Sequence, residues 1–149
     1  MNTERLFFLR EECDLTQEEM GKIVGTKKYS ICNWEKGKEI IPLSKLNEYS
    51  NYFNVSLDYI LKLSDNKNKI INKCTLDKKI IGNNIKSIRE NNNLTQRQLA
   101  EILNTTHSAI WAYESGKTMI LTAFAYQICK EFNMSMDYLC GKTKDSVIK

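Results

Sequence analysis

The sequence has one proline and six glycines in 149 residues. That is too little punctuation for a β-sandwich or barrel assembled from many short strands. A single histidine, His107, leaves little room for a His-based metal site or a catalytic dyad. The five cysteines (Cys13, Cys32, Cys74, Cys129 and Cys140) include no C-x-x-C pair. An odd set of this kind fits neither a disulfide framework nor a zinc site, so reduced thiols are expected, several as small core hydrophobes. No stretch approaches the roughly 18 apolar residues of a spanning helix. The apolar run Leu6–Leu9 is too short for a secretory signal and is closed by Arg10 and Glu11, so a cytoplasmic location is expected. There is no phosphate-cradling glycine loop and no nucleophile–base pair. Enzyme activity, a cofactor, a metal and a small-molecule site are therefore not expected. The net charge of +4 is too small to identify a nucleic-acid partner unless it is concentrated somewhere.

What the sequence does have is itself, written twice. A shift of 79 residues lays Leu6–Tyr59 on Ile85–Tyr138 without a gap, and 17 of the 54 pairs are identical. Chance at background usage would give about three or four. The identities include Arg10/Arg89, Leu15/Leu94, Thr16/Thr95, Gln17/Gln96, Glu35/Glu114, Gly37/Gly116, Asp58/Asp137 and Tyr59/Tyr138. The expected organisation is a first domain over 1–65, a linker over 66–79, a second domain over 80–144 and a tail over 145–149.

Each copy reads as five short helices. Leu6 and Leu9, or Ile85 and Ile88, give the first a buried stripe. Thr16-Gln17-Glu18-Glu19 and Thr95-Gln96-Arg97-Gln98 are capping boxes opening the second. That helix is expected to bury Met20, Ile23 and Val24, or Leu99, Ile102 and Leu103. Gly25-Thr26, or Asn104-Thr105, then turns the chain: Gly or Asn suits a left-handed cap, and the threonine can cap the third helix. Ile31 and Trp34, or Ile110 and Tyr113, face inward from that third helix, which stops at Gly37 or Gly116. The fourth carries Leu43, Leu46, Tyr49 and Phe53, or Ala125, Ile128 and Phe132. The fifth opens at Ser56 or Ser135, with Asp58 or Asp137 in its first turn.

Two helices joined by about three residues make a helix-turn-helix. With Leu-Thr-Gln before the second helix, Trp/Tyr-Glu-x-Gly closing the third and Ser-x-Asp-Tyr opening the fifth, Leu9–Ile60 resembles the Cro/CI (Xre-type) phage-repressor family. Ile88–Leu139 resembles it again in a looser form. The resemblance implies an all-α chain of two tandem five-helix, lambda-repressor-like DNA-binding domains joined by a basic linker. It also implies an internal ion pair between Arg10 and Glu35, and between Arg89 and Glu114.

At 100° per residue, Lys28, Tyr29, Cys32, Asn33 and Lys36 point away from Ile31 and Trp34. Lysine can donate to guanine acceptors and asparagine pairs well with adenine, so this face suits base edges in the major groove. By position, the resemblance makes Lys27, Lys28, Tyr29 and Asn33 the readers. Gln17 sits where the second helix opens, and Lys36 and Lys38 sit where phosphates would be met. The second copy offers Gln96, Thr106, His107, Ser108, Trp111 and Lys117. This face is nearly uncharged. Trp111 is expected to point outward, either to thymine methyl groups or to a protein partner.

Charge is unevenly divided. Residues 1–65 carry net −2, 66–82 carry +4 and 83–149 carry +2. The linker lysines Lys67, Lys69, Lys73, Lys78 and Lys79 either follow phosphates or keep a spacer soluble. About 15 linker residues would span roughly 50 Å. The resemblance implies a sequence-specific regulator, a repressor acting by occupying a double-stranded DNA operator. A homodimer, or a second domain that binds a regulatory protein in an antitoxin-like arrangement, stays open beside it.

Overall fold

A computed structural model describes residues 1–149. All regular structure is helical, in ten helices and two compact units, Met1–Lys73 and Cys74–Ile148. The division falls inside the segment read from sequence as the linker. The first unit holds α1 (Glu4–Glu12), α2 (Gln17–Val24), α3 (Lys28–Glu35), α4 (Leu43–Phe53) and α5 (Leu57–Ile60). The second holds α6 (Lys78–Asn91), α7 (Gln96–Leu103), α8 (His107–Glu114), α9 (Thr122–Phe132) and α10 (Met136–Leu139). No helix is long and apolar enough to cross a membrane.

The 79-residue register holds down to backbone dihedrals. Ten residues adopt positive φ, and they form five matched pairs: Asp14/Asn93, Gly25/Asn104, Gly37/Gly116, Asn54/Asn133 and Lys62/Gly141. Only Gly, and to a lesser degree Asn or Asp, enters this region cheaply. Four of the five pairs use only those residues, so the turns are set by chemistry shared between the copies. The capping boxes also form twice. Thr16 accepts from the Glu19 amide at 3.1 Å while Glu19 accepts from the Thr16 amide at 3.0 Å; Thr95 and Gln98 repeat the exchange.

Three details depart from the sequence reading. Ile23 is exposed and Ile102 half-buried, because α2 turns Met20, Gly21 and Val24 inward and leaves Ile23 on the far edge. The helix approaches the following turn closely at Gly21, where a Cβ would stand 2.7 Å from the Thr26 carbonyl oxygen; the second copy has Ala100 there. Next, Thr26 and Thr105 do not cap the third helices. Their amides finish the preceding helix, on Gly21 O at 2.7 Å and Ala100 O at 2.9 Å, and the caps fall one residue later, at Lys27 and Thr106. Finally, α6 begins well before the counterpart of Glu4 and lays its extra turn on the end of α8. Lys78 Nζ donates to Lys117 O at 3.3 Å, and Lys79 crowds Gly116.

Each unit buries an aspartate, Asp58 or Asp137, just inside its last helix. The counter-charges come from unrelated positions. In the first unit it is Lys69, from the segment after α5, with Nζ 3.6 Å from Asp58 Oδ2. In the second it is Lys142, which replaces Leu63. Burial holds the Lys142 ammonium below its ordinary range and Asp137 opposes that shift. Tyr49 is a different case. Its hydroxyl is buried without a hydrogen-bond partner, and burial pushes its pKa up. The second copy has Ile128 at this place. An unmet buried hydroxyl costs about 1–3 kcal/mol. Tyr49→Phe is therefore expected to raise the urea midpoint of the first unit by about 1 kcal/mol equivalent, without changing the slope.

Candidate nucleic-acid interface

Gly25, left-handed at φ 69°, reverses the chain at the end of α2 and sends α3 across it. The core seats α3 through Ile31 and Trp34. What remains outside is cationic. Lys27, Lys28 and Tyr29 are exposed at the start of α3, and Lys36 and Lys38 flank the left-handed Gly37 that ends it. None of these four lysines is in an ion pair within the chain. They are open to an outside anion.

Behind this face lies a buried polar network. Arg10 Nε donates to Glu35 Oε1 at 2.6 Å and Nη2 to Oε2 at 3.1 Å, while Nη1 caps the Leu15 carbonyl at 2.7 Å. Gln17 Nε2 donates to Glu35 Oε2 at 3.0 Å. The pairing with Glu35 holds the guanidinium above its ordinary pKa. The network orients the first residue of α2 relative to the end of α3, so the two helices present their outer ends as one surface.

The second unit repeats the network with a longer chain. Arg89 Nε donates to Glu114 Oε1 at 2.6 Å, Gln96 Nε2 donates to Glu114 Oε2, and Gln96 Oε1 lies 2.9 Å from His107 Nε2. Thr106 spends its hydroxyl oxygen on the Ala109 amide at 3.1 Å. Ser108 is exposed. Trp111 is 52% exposed, with Lys117 Nζ 5.9 Å from its ring centroid. A cleft of about 200 Å³ opens beside it, lined by Lys86, Gln96, Trp111, Glu114 and Ser115.

The family model described as helix-turn-helix domain matches twice, over residues 3–66 and 82–143. The chain belongs to the helix-turn-helix domain family. Over 65 residues, 44% of its length, it is also 35% identical to a protein named antitoxin PezA, from Streptococcus pneumoniae serotype 4 (strain ATCC BAA-334 / TIGR4). It spans about two fifths, 41%, of the length of that curated relative.

Within the two helix-turn-helix domains the expected site residues separate by burial. Lys27, Lys28, Tyr29, Lys36 and Lys38 are exposed in the first, as are His107, Ser108, Trp111 and Lys117 in the second. Asn33 does not belong with them. It is only 6% exposed, because the chain after Gly37 folds back over it: the amides of Lys38 and Glu39 both donate to the Asn33 carbonyl, at 2.9 and 3.3 Å. Helical angle alone points Asn33 outward, and the returning chain covers it. Gln17, Gln96 and Thr106 are half-committed to bonds within the domains. Lys86, which lines the cleft beside Trp111, stands where the first copy has the exposed Phe7.

Proposed function

We propose that this chain is a sequence-specific, double-stranded DNA-binding transcriptional regulator that represses by occupying its operator. The observation that carries this reading is the cluster Lys27, Lys28, Lys36 and Lys38, four unpaired cations around α3 of a helix-turn-helix in a domain otherwise net acidic. Charge set on the reading helix, rather than spread over the domain, orients it on DNA while giving little unspecific affinity. Lys28→Ala is expected to cost about 1–3 kcal/mol on the selected operator and much less on random duplex. Lys38→Ala is expected to weaken binding to all duplexes alike and to lower the salt slope by about 1. Titrations at several salt concentrations separate the two. Equal losses on operator and random DNA for Lys28→Ala would remove it from base reading.

In this reading both units meet one operator with unlike half-sites, because their faces carry different donors and acceptors. The tether is shorter than the sequence suggests. Lys67 pairs with Glu12 at 2.5 Å and Lys69 with Asp58 at 3.6 Å, and α6 is capped at Asp77. The stretch between these anchors is then Ile70–Leu76, whose contour is about 25 Å extended rather than roughly 50 Å.

A second reading is favoured by one specific observation, the half-exposed Trp111 on a face with little charge, and it agrees with the name of the antitoxin relative. Here the first unit holds DNA and the second holds a protein partner or a second copy. Trp111→Ala decides. Lower operator affinity at unchanged oligomeric state supports the DNA role; a broken oligomer with unchanged affinity per protomer supports the partner role.

A further inference from the structure

The hydrogen bonds behind α8 fix where the proton sits on the only histidine. Glu114, paired with Arg89 at 2.6 Å, is a carboxylate that can only accept. Gln96 must therefore meet it with the amide nitrogen, the one end of that side chain that donates. This leaves the Gln96 carbonyl oxygen facing His107 Nε2 at 2.9 Å. An amide oxygen has no proton to give, so Nε2 carries the hydrogen, and in the neutral ring Nδ1 is a bare lone pair. No other hydrogen bond within the chain involves the His107 ring. The ring is exposed in the first turn of α8, the end of a reading helix that meets base edges.

We propose that His107 reads DNA as an acceptor: Nδ1 takes a hydrogen bond from an exocyclic amino group, adenine N6 or cytosine N4, in the major groove. Gln96 and Glu114 are the positioning residues that hold the accepting tautomer. The proposal rests on the reading of α8 as a DNA-contacting helix. It also states how the half-sites differ. The first unit has Lys28 at this position, an ammonium that only donates and so seeks guanine O6 and N7 or thymine O4. One unit donates where the other accepts.

Two measurements on the intact chain test this. The imidazole ¹⁵N signals belong to His107 without assignment, since there is no other histidine. At pH 8 the neutral ring is expected to be almost wholly in the Nε2–H form, and Gln96→Met is expected to relax it to the tautomer mixture of a free histidine side chain. A dominant Nδ1–H form in the wild-type chain overturns the proposal. Next, each adenine and cytosine of the second half-site is replaced, one at a time, by the analogue lacking only its exocyclic amino group. One position is expected to cost the wild-type chain about five- to tenfold in affinity and to cost His107→Ala nothing beyond the shared loss of base pairing, which the cycle cancels. The absence of any such position overturns the proposal. If His107→Ala and Ser108→Ala bind every duplex like the wild type while Lys28→Ala does not, the reading of α8 as a DNA helix has failed, and the proposal falls with it. In that case the tautomer result is unaffected, which tells the two failures apart.

Discussion

Arg10→Ala is expected to lower the stability of the first unit by about 3–5 kcal/mol, although it removes a charge rather than a hydrophobe. The Arg10 and Glu35 side chains are 6% and 4% exposed. The guanidinium is held by two bonds to Glu35, one to the Leu15 carbonyl and one to the more exposed Glu11 carboxylate. Without it, Glu35 keeps only the neutral amide of Gln17, and a carboxylate in that setting is close to uncompensated. The Leu15 carbonyl, which anchors the turn before the Thr16 cap, also loses its donor. The double substitution Arg10→Met with Glu35→Leu is expected to recover most of the loss, because it removes both desolvated ions together. Urea unfolding of the intact chain, followed by circular dichroism, checks this. The Arg10→Ala curve should split into two steps, with the first unit melting early and the second at its wild-type midpoint. A double variant as unstable as the single one would mean that packing of the arginine stem, rather than the stranded charge, carries the effect.

That pair was implied only by the family resemblance, whereas most of the fold was legible in the sequence itself. The matched turns at Asp14/Asn93 and Gly37/Gly116 and the two capping boxes are local chemistry, written into three or four adjacent residues. The candidate site was legible only to the extent that it is local too. Lys28 is exposed where helical angle places it, and Lys27, Lys36 and Lys38 are exposed at and just beyond the helix ends. Asn33 was misread because a separate stretch of chain returns to cover it. The tether was overestimated because Lys69 finds a buried aspartate more than ten residues away. His107 was visible as the sole histidine, yet its partner Gln96 lies on another helix, and the direction of the bond is fixed only by a fourth residue, Arg89, on a third helix. Non-local polar partners were what the sequence pattern could not supply.

The other large effect comes from a residue with no side chain. Gly82, in the second turn of α6, lies against the end of α8: a Cβ there would stand 2.4 Å from the Tyr113 carbonyl oxygen and 2.7 Å from that of Glu114. These are backbone atoms and cannot rotate away. The first copy meets the same row of carbonyls differently, with Thr3 Oγ1 donating to Trp34 O at 3.1 Å from outside the helix. Gly82→Ala would gain about 1 kcal/mol of helix propensity, but overpacking against fixed atoms costs about 1–3 kcal/mol and sometimes more, so a net loss is expected. Gly82→Val adds two methyls and a poor helix former, and is expected to cost over 3 kcal/mol. The loss should stay within the second unit, the mirror image of Arg10→Ala, and appear as an early second-unit step in the same urea experiment. The clash also bears on function. Glu114, pushed by its own carbonyl, anchors both Arg89 and Gln96, so even the milder Gly82→Ala should loosen the bond from Gln96 to His107 while the unit remains folded. Its ¹⁵N spectrum is then expected to show mixed tautomers at temperatures where circular dichroism still reports full helix. An unchanged spectrum would mean that α8 relieves the clash as a rigid body, carrying Glu114, Gln96 and His107 together.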